Sequence, residues 1–109
     1  MSTQLKVFWT DAAVGDHTQL ADFIAARDSL ERALEVCDRL EAAASSLISS
    51  PNRGRIVPEL QEQGIVIYLE LVVKPWRIVY RAENRSVYIL AIIDSRRDAV
   101  DLLWERLTR

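Results

Sequence analysis

At 109 residues, half of them hydrophobic, the chain is sized for one compact domain around one core, with no length left for a second. Charges interrupt every apolar run, so no segment reaches the roughly 20 apolar residues of a membrane-spanning helix. A net charge of -2 argues against a protein that holds nucleic acid chiefly through its phosphates.

Met1-Ser2-Thr3-Gln4 has no basic start followed by an apolar stretch, which predicts no export signal and a cytoplasmic address. Residues 4–9 read as a short strand, and Thr10-Asp11 supplies side-chain oxygens suited to capping a helix start. The first helix has its core signal in Leu20, Phe23 and Ile24, spaced i, i+3, i+4, after the small pair Ala12-Ala13 and Gly15. Asp28 followed by Glu31 resembles a capping box, so a helical hairpin turns near Arg27.

On the second helix Leu30, Leu34, Cys37, Leu40, Ala44, Leu47 and Ile48 recur at steps of three and four, with Glu31, Glu35, Asp38, Arg39 and Glu41 on the other face. Cys37 falls on the apolar stripe. As the single cysteine it has no internal disulfide partner, and with His17 as the single histidine there is no zinc ligand set, so a buried, inert thiol and no metal or cofactor are expected. His17 itself is expected to be solvated. Residues 49–54, with Pro51 and Gly54, end the helix and open an irregular stretch.

Three β-rich runs follow, at 65–72, 76–81 and 87–94, separated by gaps short enough for an antiparallel meander. Alternation puts Ile65, Ile67, Leu69 and Leu71, then Trp76, Ile78 and Tyr80, then Val87, Ile89, Ala91 and Ile93 on one face, which the helical hairpin should cover. The reverse face carries Tyr68, Glu70, Arg77, Val79, Arg81, Tyr88, Leu90, Ile92 and Asp94, only partly covered by the chain itself. Ser95 with Asp98 three residues on predicts a last helix bearing Ala99, Leu102, Leu103, Arg106 and Leu107. The fold class is α+β, in the order β-α-α-β-β-β-α.

Basic residues lean toward the second half. Residues 1–54 hold five Lys/Arg against eight Asp/Glu, and residues 55–109 nine against eight. An anionic partner would dock there.

That order, together with Gly54-Arg55 before Val57-Pro58-Glu59-Leu60, Leu69-Glu70-Leu71-Val72 leading into Trp76-Arg77-Ile78-Val79-Tyr80-Arg81, and Val87-Tyr88-Ile89-Leu90 leading into Ser95-Arg96-Arg97-Asp98, resembles the RelE/ParE toxin superfamily over almost the whole chain. Trp9-Thr10 with Ala12-Ala13 is similar to that family's entry into its first helix. The resemblance implies the toxin of a type II toxin-antitoxin pair, with a small antiparallel sheet against the helical hairpin and a cognate antitoxin as partner. RelE-like members are ribosome-dependent mRNA endonucleases; ParE-like members lack that chemistry and trap DNA gyrase on cleaved DNA.

Arg77, and Arg96 or Arg97, match arginines that RelE-like toxins use. The position before Ser95, where many relatives carry histidine, is Asp94, which repels phosphate and is no imidazole base. The tail 104–109 has no tyrosine, and Arg53 and Arg55 are the only basic groups of the 51–63 loop. The ParE-like reading is therefore preferred, with no catalytic residue assigned; the nuclease and a non-toxic module that only binds an antitoxin are the alternatives.

Arg77, Arg81, Arg96 and Arg97 are the target-binding candidates. Against this stands a ladder in which Arg77 and Arg81 pair across strands with Glu70 and Asp94. Trp76, Tyr80, Tyr68 and Tyr88 could stack on bases, but aromatic strand residues more often fill a core. The resemblance implies that the antitoxin lays an amphipathic helix across the hairpin groove, at Leu20, Phe23, Ile24 and Trp76, and an extended segment along a sheet edge.

Overall fold

The computed structural model describes residues 5–107. Gln4, expected to open the first strand, the tail residues Thr108 and Arg109, and the side chain of Leu107 lie outside the described residues. In chain order the elements are β1 (Lys6–Trp9), α1 (Asp11–Arg27), α2 (Leu30–Ser45) continued by a 3-10 turn (Ser46–Ile48), β2 (Arg55–Ile56), α3 (Pro58–Gln61), β3 (Leu69–Val73), β4 (Trp76–Glu83), β5 (Ser86–Asp94) and α4 (Ala99–Leu107). The fold is α+β. β2 and α3 are additions to the expected order, each too short to leave a periodic signal.

The strands form one sheet in the order β1-β5-β4-β3-β2, antiparallel except for β1 beside β5, which is parallel. β3 begins at Leu69 rather than Ile65. Upstream of it the neighbouring strand β2 has only two residues, so Ile65, Val66 and Ile67 have no ladder to join and stand 38%, 55% and 50% exposed.

Thr10 caps α1, its Oγ1 accepting from the Ala13 N–H at 3.1 Å. α2 starts one residue later than expected, because the Asp28 N–H is used to close α1 onto the Ile24 carbonyl and Ser29 takes over as cap, accepting from the Arg32 N–H at 3.0 Å. The buried line of α2 runs through Ala33, Val36, Cys37, Leu40 and Ala44, on to Leu47, while Leu30 and Leu34 are exposed. Steps of three and four fit both lines equally well, so periodicity alone does not choose between them. Phe23 likewise faces solvent, under the Arg27 guanidinium at 5.3 Å, while Leu20 and Ile24 pack against the core.

Between hairpin and sheet lie Ala13, Val36, Leu40, Leu47, Leu71, Ile78, Tyr80, Val87 and Ile89. The expected alternation fails at one place. Val79 pairs with Ala91 but Tyr80 pairs with Ile89, so Leu90 is an extra residue, a bulge that reverses the faces beyond it. Ile92 therefore joins the hairpin side, and Ala91 and Ile93 turn to the other.

That other face is covered in part, as expected, with Phe8, Val72 and Tyr88 left exposed on it. Val57 and Leu60 at α3 and Ala99, Leu102 and Leu103 of α4 close over Tyr68, Val79, Ala91 and Ile93 as a second apolar cluster. α4 begins at Ala99, not at Ser95, because residues 95–97 are bent into a turn by Ser95 N–H donating to the Pro75 carbonyl and Arg97 N–H to that of Asp94.

Gly54 is required by close approach. A Cβ there would meet the Glu70 carbonyl at 2.5 Å and the Tyr80 hydroxyl at 2.6 Å. The Gly54 N–H instead donates to that hydroxyl at 3.0 Å, and the hydroxyl donates to the Pro51 carbonyl at 2.8 Å, which pins the loop under the sheet.

Candidate functional site

Arg77 projects from β4 into the interior and is enclosed, its side chain 7% exposed. Its Nε donates to Glu70 Oε1 at 2.7 Å, and its Nη1 and Nη2 donate to Glu59 at 2.9 and 2.7 Å. Nη1 also donates to the Arg97 carbonyl at 3.1 Å. Glu70, fully buried, takes its second oxygen to Arg55 at 2.8 Å. Two arginines and two carboxylates thus close a compensated cluster, the arrangement that makes buried charge tolerable. Burial alone would raise the Glu59 carboxyl, but hydrogen bonds from Arg77 and from the Ala99 N–H prevail and hold it near a pKa of about 2. Burial likewise opposes the charge on Arg77, and the two carboxylates outweigh it and raise its pKa.

The expectation that Arg77 stands on a target surface is thereby corrected: its donors are spent inside the protein. The cross-strand pair with Glu70 is present, but the rest of the expected ladder is not. Arg81, partly exposed, pairs with Glu83 at 3.1 Å. Asp94 pairs instead with Arg96, accepting from its N–H at 2.9 Å and from its side chain at 3.1 and 3.2 Å, and hydrogen bonds from that side chain come first among the causes that lower the Asp94 pKa. The Arg96 side chain is 88% exposed. Arg97 borders a cleft of about 520 Å³ between α1 and α4. The four candidate arginines do not converge on one point.

The four apolar candidates do converge. Leu20, Phe23 and Ile24 on α1 and Trp76 on β4 line one groove of about 400 Å³, completed by Pro75, Ile92 and Asp94. It lies between α1 and the end of β5 beyond β1, which stops at Trp9, and not between the two helices of the hairpin as expected, since no residue of α2 lines it. Asp16 and Arg106, not singled out as a pair by sequence, close the same edge. Arg106 donates to both Asp16 oxygens at 2.6 and 2.9 Å and to the Leu90 carbonyl at 2.7 Å, while the Ile92 N–H donates to Asp16 at 3.0 Å. The bulge is held by a clamp between α1 and α4.

Other expectations resolve individually. Cys37 is buried, and burial followed by Glu41 and Asp38 raises its pKa. His17 is not free in solvent but lies edge-on to Trp9, ring centroids 5.4 Å apart. Tyr68 and Tyr80 are core residues and Trp76 packs against the core, whereas Tyr88 stacks in the open on Phe8.

Residues 7–99 match the family model for the ParE toxin of type II toxin-antitoxin system, parDE. The chain belongs to the ParE toxin family. A solved chain of the chromosomal ParDE TA system from P. aeruginosa shares the fold, with a TM-score of 0.71, 20% identity, and coverage of 85% of this chain and 98% of that one. No curated protein sequence matches the chain significantly. Membership in the ParE family makes this a type II toxin and implies a cognate antitoxin. Among the described residues of this ParE chain, no helix is long and apolar enough to cross a membrane.

Proposed function

We propose that this ParE toxin acts as one domain in the cytoplasm, arrests growth by trapping DNA gyrase on cleaved DNA, and is silenced by an antitoxin helix in the groove of Leu20, Phe23, Ile24 and Trp76. The observation that carries this reading is the closed cluster around Arg77. A nuclease of this superfamily needs a free guanidinium to meet the charge that develops on the phosphate. Here Glu59 and Glu70 already occupy those donors at 2.7 Å, and Asp94 stands where an imidazole base is wanted. The scaffold is retained and the chemistry is not. Of the four candidate arginines, exposed Arg96 and Arg97 and partly exposed Arg81 are left for a target, with Arg77 holding the frame behind them.

The groove supports the antitoxin half. It is mostly apolar, runs along one face of α1, and has the i, i+3, i+4 spacing on its wall that a partner helix can mesh with. Purified toxin incubated with gyrase and supercoiled DNA is expected to accumulate cleaved complex, and antitoxin to abolish it. If supercoiling proceeds untouched while mRNA is cut on programmed ribosomes, the nuclease reading replaces this one.

A further inference from the structure

We propose that Phe8 and Tyr88, with Arg81 beside them, form a second contact for this toxin's protein target, at the opposite end of β5 from Arg96 and Arg97; the proposal rests on the reading of the chain as a target-binding toxin. Phe8 is 46% and Tyr88 38% exposed, and neither belongs to the two apolar clusters of the interior. The strand register puts Tyr88 between Phe8 on β1 and Arg81 on β4, so the three side chains stand in one row. At about 4.8 Å between strands, the row is roughly 10 Å wide. The next row on the same face is Lys6, Ser86 and Glu83.

The rings hold each other, with centroids 5.7 Å apart and an interplanar angle of 21°. The pair is thus preordered without being buried by its own chain, which leaves little side-chain entropy to lose on binding. Aromatic side chains next to an arginine are the composition of interface centres where most binding energy concentrates. Lys6 and Arg81 outnumber Glu83 here, on a chain whose net charge is -2. The partner that fits is a protein surface with an apolar hollow bordered by carboxylates. Single-stranded nucleic acid fits less well, since Phe8 and Tyr88 already stack on each other.

The patch also lies on the face of the sheet opposite the groove of Leu20, Phe23, Ile24 and Trp76, and toward the other end of β5. This contact and the antitoxin groove should therefore respond to different substitutions. The test uses Phe8→Ala/Tyr88→Ala, with Arg81→Glu as a second variant that leaves the aromatic pair in place. Growth arrest on induction and cleaved-complex formation with gyrase are both read, and antitoxin affinity is measured alongside. The expected result is loss of arrest, a rise of about tenfold or more in the toxin concentration needed for half-maximal cleavage, and unchanged antitoxin binding. Glu83→Gln should shift that concentration the opposite way, because it frees Arg81; a purely structural ion pair would give both substitutions the same sign. Folded variants that arrest growth like wild type overturn the proposal. If arrest is lost while wild-type toxin leaves gyrase untouched, the patch stands and gyrase as target falls. A single-stranded oligonucleotide bound by wild type and released by the same substitutions would overturn the protein target in favour of nucleic acid.

Discussion

Glu59 and Arg77 meet end to end, through hydrogen bonds of 2.7 and 2.9 Å, and the same Glu59 carboxylate accepts the Ala99 N–H that opens α4. One carboxylate thus joins a four-residue helix, the central strand and the last helix. It serves as a remote cap as well as an ion-pair partner, satisfying a backbone donor that the chain around Ala99 leaves open.

This gives stability a pH signature. The Glu59 carboxyl falls from its ordinary 4.5 to about 2 on folding, so its contribution is fully present above pH 4.5 and is lost as pH drops toward 2. The loss should be on the order of 2–3 kcal/mol, with the side chain largely but not wholly withdrawn from water. Denaturant unfolding between pH 7 and pH 2 is expected to show this fall, and Glu59→Gln to start lower and flatten it. An unchanged pH slope in that variant would contradict the assignment.

The groove prediction separates binding from stability. Phe23 is 60% exposed, so Phe23→Ala should leave the melting temperature nearly unchanged and weaken antitoxin binding by about 1–3 kcal/mol, roughly 5- to 150-fold. Hydrogen exchange with and without antitoxin should show new protection in α1 and the upper end of β5. Protection confined to the 51–63 loop would place the antitoxin elsewhere.

Replacing Arg96 and Arg97 by alanine should abolish toxicity while the melting temperature stays within a few degrees. The Arg96 pair with Asp94 is solvent-exposed and worth little to stability, and only the carbonyl of Arg97, which the substitution keeps, supports Arg77. A folded double variant that is still fully toxic removes both residues from the target surface.

Much of this was legible in the residues. Alternation at Trp76, Ile78 and Tyr80 and at Leu69 and Leu71 gives the hairpin-facing side of the sheet, and Leu20, Phe23, Ile24 and Trp76 do share a groove, though one between α1 and the sheet and not within the hairpin. The burial of Arg77 is harder to foresee. Its partner Glu59 lies 18 positions away on a helix of four residues, with no period to announce it. The stacking of Phe8 on Tyr88 depends on β1 lying parallel beside β5, a long-range pairing that neither strand encodes locally. The reversal at Leu90 is invisible too, because an apolar residue reads the same on either face.

The bulge gives Leu90 a use apart from packing. Deleting Leu90 would leave the faces as they are: Ile89 and Ala91 already pair with the successive residues Tyr80 and Val79, so the ladder would become regular with Ala91 and Ile93 still toward α4 and Ile92 still toward the hairpin. The clamp would lose the Leu90 carbonyl that Arg106 grips and keep the Ile92 N–H that Asp16 accepts from. What the extra residue supplies is therefore a carbonyl for the grip between α1 and α4, which any substitution at position 90 keeps and its deletion removes.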